Sequence, residues 1–168
     1  IGSNLAKHLV SKGYNVTVFD NLSKQIHGDN QSSYSYKSII NITKFINGDV
    51  CNNKDWKLAI KGQDAIIHLA SETGTGQSMY AIRKYNEVNI VGTSNLLDIL
   101  VNKKHNIQKI IVGSSRSIYG EGKYFCKKHG FVYPDNRQES QLKVGLFDAV
   151  CNICKLNLEL KATDEESN

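Results

Sequence analysis

Four residues in the last third of the sequence have the types and the spacing of metal ligands. Cys126 and His129 are separated by two residues, and Cys151 and Cys154 repeat that spacing after 21 intervening residues. Thiolates and imidazole suit zinc, and two short chelating pairs separated by a loop are the usual arrangement of a structural zinc site. Four protein ligands leave no open position for catalysis, so the pattern predicts a structural zinc. The alternative is four unrelated residues in a loop-rich segment.

A pair of hydroxyl groups follows an apolar run near the middle of the chain. Ser114 and Ser115 come directly after residues 109–113, and the segment continues to Tyr119 and Gly120. Hydroxyls at the carboxyl end of a buried strand can hydrogen-bond a substrate oxygen whose charge develops during a reaction. Serines at strand ends also serve as simple caps, so the residues alone leave both interpretations open.

Two carboxylates close earlier apolar runs. Asp20 follows residues 14–19, and Asp49 stands between Gly48 and Val50. At Asp20 a carboxylate can accept hydrogen bonds from both hydroxyls of an adenosine ribose, and it repels the 2′-phosphate of NADP, which favours NAD. At Asp49 a carboxylate would lie near the amino group of adenine. Gly2 opens a helix in the manner of the last glycine of a phosphate-binding loop. The alternative for both carboxylates is a turn-forming or capping role.

Regular elements must bring these strand ends together. Apolar periodicity predicts helices over residues 2–11, near 53–61 and, as one long helix, over 76–103. Strands are predicted over 14–20, 43–47, 64–70 and 109–114, and residues 21–42 are interpreted as a long loop with room for a short helix. The last two strands are apolar on both faces, as strands buried in a parallel sheet are.

The order of these elements predicts an α/β fold, a doubly wound parallel sheet of the Rossmann type. Ligands of such sheets bind beyond the carboxyl ends of the strands, where the residues above are found. We expect the first strand of the sheet and the first glycines of its phosphate loop before Ile1. The predicted domains are a partial NAD-binding domain at 1–120, a small zinc-ribbon-like insertion at 121–160, and the start of a following segment at 161–168.

The composition excludes several classes of protein. Of 168 residues, 40% are hydrophobic and 22% are charged, which is typical of a globular domain. The net charge of +5 is spread along the chain, with no basic stripe interleaved with aromatic residues, so we expect no nucleic-acid partner. The sequence has no run of 18 apolar residues, so no membrane span is predicted. Four cysteines are too few for a disulfide scaffold. We therefore expect the protein in the reducing environment of the cytoplasm.

Taken together, the motifs resemble the extended short-chain dehydrogenases that modify nucleotide sugars, the NAD-dependent epimerase/dehydratase family. The segment after Gly120, with its cysteines and histidine, resembles the insertion of nucleotide-sugar 4-epimerases that act on dTDP-L-rhamnose, and UDP-glucose 4-epimerases are the next most similar subgroup. The matching segments occur in the family's order and near its usual spacings: 1–3, 18–22, 48–50, 68–70, 88–93 and 114–120.

The resemblance implies a role for each matched residue. Ser115 is expected to be the catalytic hydroxyl, and Ser114 is expected to contact the nicotinamide end of the cofactor. The remaining cofactor-binding residues are Gly2 in the phosphate loop, Asp20 and Asn21 at the adenosine ribose, Asp49 and Val50 beside adenine, Leu69, Ala70 and Ser71 along the dinucleotide, and Asn89, which would fix the strand loops.

The resemblance also implies a reaction. In this family a tyrosine, kept acidic by a lysine four residues on, removes a proton from a sugar hydroxyl, while NAD takes the carbon-bound hydride; in an epimerase the resulting keto sugar turns over and the hydride returns to its other face. The Tyr-x-x-x-Lys spacing does not occur at a suitable place in residues 1–168, and we expect it after Asn168. The 168-residue chain by itself should bind NAD poorly and show no turnover, whereas the whole protein should act on a nucleotide sugar as a homodimer.

Two other kinds of function stay open. A nucleotide-sugar 4,6-dehydratase or a reductase uses the same fold, but dehydratases usually place acidic groups beside the catalytic hydroxyl, and Arg116 and Ser117 follow Ser115 here. A non-catalytic module that binds NAD or zinc is the alternative from a different class. A Tyr-x-x-x-Lys pair soon after residue 168 would favour an enzyme.

Overall fold

The structure, a computed structural model, describes residues 1–29 and 33–165. The chain forms two compact units, Ile1–Gly113 and Ser114–Asn168. This division concerns packing, and the functional boundaries placed at residues 120 and 160 stay predictions.

Helices and strands alternate along the first unit, as the apolar periodicity predicts. The helix predicted over residues 2–11 is confirmed at both ends. It stops before Gly13, which adopts a φ of 85°. The elements are α1 (Gly2–Ser11), β1 (Thr17–Asp20), α2 (Lys24–His27), α3 (Tyr34–Lys37), β2 (Lys44–Asn47), α4 (Asn53–Ala59), β3 (Ala65–His68), α5 (Thr75–Ser78), α6 (Ile82–Tyr85), a π-helical segment (Asn86–Val91), α7 (Gly92–Asn102) and β4 (Lys109–Val112).

The strands of the first unit form two parallel pairs. β1 pairs with β2 so that Asp20 lies opposite Asn47, and β3 pairs with β4 so that His68 lies opposite Val112. Parallel pairing is as predicted, and it places the carboxyl ends of the two strands in each pair at the same edge. Within the described ranges the two pairs do not hydrogen-bond to each other, so the predicted sheet is not continuous there.

The prediction that β3 and β4 are buried on both faces is wrong for this chain. Ile110, Ile111 and Val112 of β4 are exposed, and in β3 only His68 is buried. Burial on both faces requires a packed layer on each side of a sheet. The main core of the unit instead lies where α4 and α7 meet one side of β1, β2 and β3.

That core is built around Trp56 and Leu96, which are 4% and 1% exposed. Phe19, Ile46 and Ile66 pack against it from β1, β2 and β3. The indole N–H of Trp56 lies within hydrogen-bonding distance of two backbone carbonyls, 2.8 Å from the oxygen of Val50 and 3.2 Å from that of Gly92. A side chain at Gly92 would meet Val50 Cγ2 at 2.7 Å, so glycine is what lets α7 approach the segment after β2.

The single helix predicted over residues 76–103 is wrong. The chain leaves the helical conformation after Ser78, and Ala81, with φ −92° and ψ 40°, separates α5 from α6. Helical structure then continues through a π-helical turn at Asn86–Val91 into α7. Apolar spacing extends across this region although only α7 buries one side, with Leu96 and Ile99. Spacing does not report the local break or the wide turn.

The second unit contains a three-stranded antiparallel sheet. Its central strand pairs with one neighbour so that Cys126 lies opposite Gly130, and with the other so that Tyr124 lies opposite Leu160. The elements are a 3₁₀ turn (Arg116–Tyr119), β5 (Tyr124–Cys126), β6 (Gly130–Val132), α8 (Glu139–Lys143) and β7 (Glu159–Leu160), in the spatial order β6-β5-β7. Among all helices in the described parts of the chain, none has the length and apolar character needed to cross a bilayer.

Candidate cofactor site and candidate metal centre

Asp20 ends β1 and shapes the turn that follows it. Its Oδ1 accepts a hydrogen bond from the backbone N–H of Leu22 at 2.8 Å, and His27 Nε2 lies 3.6 Å from the same oxygen. Leu22 has a φ of 50°, a left-handed conformation that is rare for a large side chain. The turn-forming interpretation of Asp20 therefore holds. The Asp20 side chain is nevertheless 41% exposed, so its carboxylate is also open to a ligand.

Asn21 and Asp49 connect the ends of the two paired strands β1 and β2. Asn21 Nδ2 donates to Asp49 Oδ2 at 3.0 Å, while Asp49 Oδ1 accepts from the backbone N–H of Cys51 at 2.8 Å. Burial by itself would raise the pKa of Asp49, but hydrogen bonds from Asn21 and Cys51 outweigh it and leave the pKa below its ordinary value. The residues predicted to hold adenosine thus form one charged edge.

The loop after β3 is held by Asn89, which lies in the π-helical turn. Its Oδ1 accepts from the backbone N–H of Glu72 at 2.8 Å, and its Nδ2 donates to the Glu72 carbonyl at 3.0 Å. Both backbone hydrogen-bonding groups of Glu72 are thus satisfied by one side-chain amide, which fixes the end of the segment Leu69–Ser71. This geometry agrees with the expectation that Asn89 fixes a strand loop.

Tyr85 is a second anchor of the same loop, and sequence reasoning missed it. Its hydroxyl lies 2.6 Å from the carbonyl oxygen of Thr73 and 3.1 Å from that of Gly74. Tyr85 precedes Asn89 by four residues, and residues four apart share a helix face. That spacing was the available signal.

His68 is a buried structural residue. Its Nε2 lies 3.0 Å from Thr93 Oγ1, and the Thr93 hydroxyl donates its single proton to the carbonyl of Asn89 at 2.9 Å. His68 must therefore be the donor through Nε2. Burial lowers the pKa of His68, so the ring is neutral at physiological pH.

Ser115, the predicted catalytic hydroxyl, begins the second unit together with Ser114. Ser115 Oγ accepts from the backbone N–H of Ser117 at 3.2 Å and donates to Ser117 Oγ at 3.1 Å. It caps the 3₁₀ turn that follows and is exposed. The capping interpretation therefore holds, and the catalytic role of Ser115 stays a prediction. A common edge with Asp20 stays a prediction, since the two residues belong to different units.

Tyr119 and Lys123 repeat the Tyr-x-x-x-Lys spacing, but their geometry is unsuited to the catalytic pair. The motif needs a helix to bring residues four apart onto one face. Here the chain turns at Gly120, whose φ is 56°. Lys123 Nζ is paired with Asp164 at 3.3 Å and lies 5.0 Å from the ring centroid of Phe131.

The four predicted metal ligands come together in the second unit. One ligand atom from each of Cys126, His129, Cys151 and Cys154 lies within 4.8 Å of all the others. Cys126 Sγ is 3.6 Å from His129 Nδ1 and 3.6 Å from Cys154 Sγ, and Cys151 Sγ is 3.4 Å from His129 Nδ1. Tetrahedral zinc with bonds of about 2.3 Å to sulfur and about 2.05 Å to nitrogen requires S···N distances of about 3.6 Å and S···S distances of about 3.8 Å.

The two pairs have the same backbone environment. Cys126 Sγ accepts hydrogen bonds from the backbone N–H groups of Lys128 and His129, and these lower the pKa of the Cys126 thiol. Cys151 Sγ accepts from those of Cys154 and Ile153, which lower the pKa of Cys151 to about 6. Cys51 is the contrasting case, because burial and then the Asp49 carboxylate raise the pKa of its thiol to about 11.

Comparison with known proteins identifies the family. The model of the "NAD dependent epimerase/dehydratase family" matches residues 1–138. The chain belongs to this family.

Relatives within the family are nucleotide-sugar epimerases. The chain is 32% identical over 150 residues to a dTDP-L-rhamnose 4-epimerase of Burkholderia thailandensis, a match that covers 88% of the chain and 40% of the relative. It is 32% identical over 133 residues to a UDP-glucose 4-epimerase of Pisum sativum, covering 72% of the chain and 35% of the relative. A crystal structure of a UDP-glucose 4-epimerase matches with a TM-score of 0.59 and 28% identity, covering 72% of the chain and 34% of that protein. The chain thus spans between a third and two fifths of these proteins.

Proposed function

We propose that this chain provides the cofactor-binding part of an NAD-dependent nucleotide-sugar 4-epimerase. The observation that carries the proposal is the edge formed by Asp20, Asn21 and Asp49 at the carboxyl ends of β1 and β2, in a member of the epimerase family. Ligands of parallel α/β sheets bind at this end of the strands.

NAD is the cofactor that this edge favours. The exposed Asp20 carboxylate can accept hydrogen bonds from both ribose hydroxyls and repels a 2′-phosphate. Asn21 is held by Asp49 and can reach the same ribose, and Val50 would flank adenine. Gly2 would lie at the phosphates, and the loop Leu69–Ser71 that Asn89 anchors would lie along the dinucleotide.

NAD, when bound, supplies the group that accepts a hydride from the sugar and returns it. Ser115 would donate a hydrogen bond to the sugar oxygen that gains negative charge, and Ser114 would contact the nicotinamide end. Asn89 and Tyr85 would keep the loop after β3 in place while the sugar turns over. The tyrosine and lysine that move the hydroxyl proton are expected elsewhere in the whole protein.

A dTDP-linked deoxysugar is the substrate class we favour. The match to the dTDP-L-rhamnose 4-epimerase covers 88% of the chain, which is about 148 of the 168 residues. A match of that length includes both Cys126 and His129, wherever in the chain it starts. The match to the UDP-glucose 4-epimerase covers only 72%. Arg116 and Ser117 beside Ser115 disfavour a 4,6-dehydratase, which usually has acidic groups there.

We also propose a homodimer in the cytoplasm. Apolar side chains of the π-helical turn and α7 are exposed, including Ile90, Leu97 and Val101, and a second copy could cover them. All four cysteines are free, which suits a reducing compartment.

We further propose that Cys126, His129, Cys151 and Cys154 hold a structural zinc. The three distances Cys126–His129, Cys126–Cys154 and Cys151–His129 fit a tetrahedral ion to within a few tenths of an ångström, and all four ligand atoms lie within 4.8 Å of one another. Freshly purified protein should contain about one zinc per chain by elemental analysis. Cys154→Ser should lower that content strongly, whereas Cys51→Ser should not, because Cys51 lies in the other unit. Whole protein without zinc, purified in the absence of chelators, would refute the site.

Incubating the whole protein and the 168-residue chain separately with dTDP- and UDP-sugars tests the epimerase proposal. We expect the whole protein to interconvert C4 epimers without net consumption of NAD, detected by NMR of the sugar protons. The 168-residue chain should show no turnover, since it lacks the expected tyrosine and lysine. A 4-keto-6-deoxy product would identify a dehydratase instead, absence of any reaction would favour a binding module, and turnover by the short chain would show that it needs no further residues.

A further inference from the structure

We infer that the metal replaces an apolar core in the second unit, so that residues 114–165 fold only when zinc is bound. This inference rests on the zinc site proposed above. It adds that the ordered state of a whole unit, including the proposed catalytic Ser115, depends on the ion.

The side chains buried in the second unit are the first reason. Within its described residues the buried hydrophobic side chains are Cys126, Ala149 and Cys151, and two of these three are proposed zinc ligands. Large apolar side chains face outward instead: Phe131, Phe147 and Ile153 are each more than 60% exposed. The first unit, by contrast, buries Trp56 and Leu96. One buried alanine cannot offset the conformational entropy that is lost when some fifty residues become ordered.

The position of the ligand pairs is the second reason. Cys126 ends β5, and His129 lies in the turn that leads to β6. Cys151 and Cys154 lie in a turn closed by the bridge between Val150 and Asn157, just before β7. A single ion would join both turns, and so would hold β7 against β5 across more than thirty intervening residues. Closing a long loop is where a metal contributes most to folding.

The backbone of the two turns is the third reason. The residue after each ligand pair has a left-handed conformation, Gly130 with φ 74° and Lys155 with φ 59°. Glycine adopts this conformation without strain, but lysine does not, and a strained residue persists only where its surroundings fix it. Lys155 donates its backbone N–H to the Cys151 carbonyl at 2.9 Å, which ties the strained residue directly to a proposed ligand.

Contacts within the unit connect the metal region to the segment that follows Ser115. Arg137 Nη2 donates to Glu121 Oε2 at 2.6 Å, and Arg137 Nη1 donates to the carbonyl oxygen of Phe147 at 2.9 Å. Phe147 lies two residues before Ala149. The backbone N–H of Gly122 donates to the carbonyl of Tyr119 at 3.0 Å, at the end of the turn that Ser115 caps. Loss of the ion should therefore release this turn as well.

Amide hydrogen exchange of the whole protein, read peptide by peptide, tests the inference. Zinc content is measured on the same samples before and after treatment with a chelator. Removal of zinc should accelerate exchange at least tenfold across residues 114–165, and peptides of α4 and α7 should change less than twofold. Zinc returned to the sample should restore protection. Cys154→Ser should behave as the chelated protein does, and the matched variant Cys51→Ser should behave as the unaltered protein.

The outcomes separate the two proposals. Protein that never contains zinc would refute the metal site. Protein that loses its zinc and keeps full protection over residues 114–165 would leave the site intact and overturn the coupled folding. Equal loss of protection in α4 and α7 would also overturn it, since the metal would then stabilise the entire molecule.

A second pair of variants tests the turn geometry by the rate at which zinc passes to a colorimetric chelator. Lys155→Gly relieves the strain and should slow release several-fold, whereas Gly130→Ala introduces strain at the equivalent position and should accelerate release. Unchanged rates in both variants would contradict a role of the ion in fixing these turns.

Discussion

Ser115→Ala should lower the kcat of the whole enzyme by about 100- to 1,000-fold, because one hydrogen-bond donor to the developing negative charge is lost. The dissociation constant for NAD should change little, since the residues proposed to hold adenosine follow β1 and β2 in the other unit. Steady-state rates with the preferred sugar and a titration of NAD by fluorescence measure the two effects separately.

Two further substitutions distinguish the catalytic role of Ser115 from its capping role. Ser115→Gly removes the hydroxyl, but glycine is tolerated at a cap at a cost of only a few tenths of a kcal/mol. Because the hydroxyl is lost in both variants, the kcat of the glycine variant should fall as far as that of the alanine variant. Ser115→Thr keeps both the hydroxyl and the cap and should retain most of the rate. A glycine variant with nearly full kcat would mean that Ser115 only caps the turn to Ser117.

Trp56→Ala should destabilise the first unit by about 3–5 kcal/mol. The indole is almost fully buried, contacts Phe19 and His68 edge to face at 5.0 and 5.6 Å, and satisfies two backbone carbonyls. Trp56→Phe keeps the apolar contacts and loses the N–H, so it should cost about 1–3 kcal/mol. Urea unfolding of the 168-residue chain, followed by far-UV circular dichroism, gives the free energies.

Leu58 provides the matched control on the same helix. Its side chain is 62% exposed, so Leu58→Ala should change the free energy of unfolding by no more than about 0.5 kcal/mol. If the alanine variants of Trp56 and Leu58 were equally destabilised, α4 would not pack on the core as described.

The local sequence is enough where a signal lies within a few residues. Helix α1 follows from Leu5, Leu9 and the stop at Gly13, and its bounds were predicted without error. The strand positions follow from short apolar runs, although β1 is shorter than predicted and begins at Thr17, because pairing with β2 and not apolar character decides where a strand begins. The four metal-ligand candidates were recognisable by type and spacing, and the structure brings them together.

Other features depend on residues distant in the chain. The break in the helix predicted over residues 76–103 was missed because apolar periodicity continues through it. Asn89 and Tyr85 bind the loop after β3 from this helical region, and such contacts form only once helix and strand have packed. The proton on His68 is likewise assigned only by the arrangement of Thr93 and Asn89 around it.

The sequence by itself determined the alternation of helices and strands, the family motifs at the strand ends and the two chelating pairs, because each is written in residues close together in the chain. Only the tertiary structure decided that Asn21 bonds to Asp49, that Trp56 serves two backbone carbonyls, and that the second unit has a cluster of thiols where an apolar core would be. These depend on chain packing in three dimensions, where residues separated by tens of positions become neighbours.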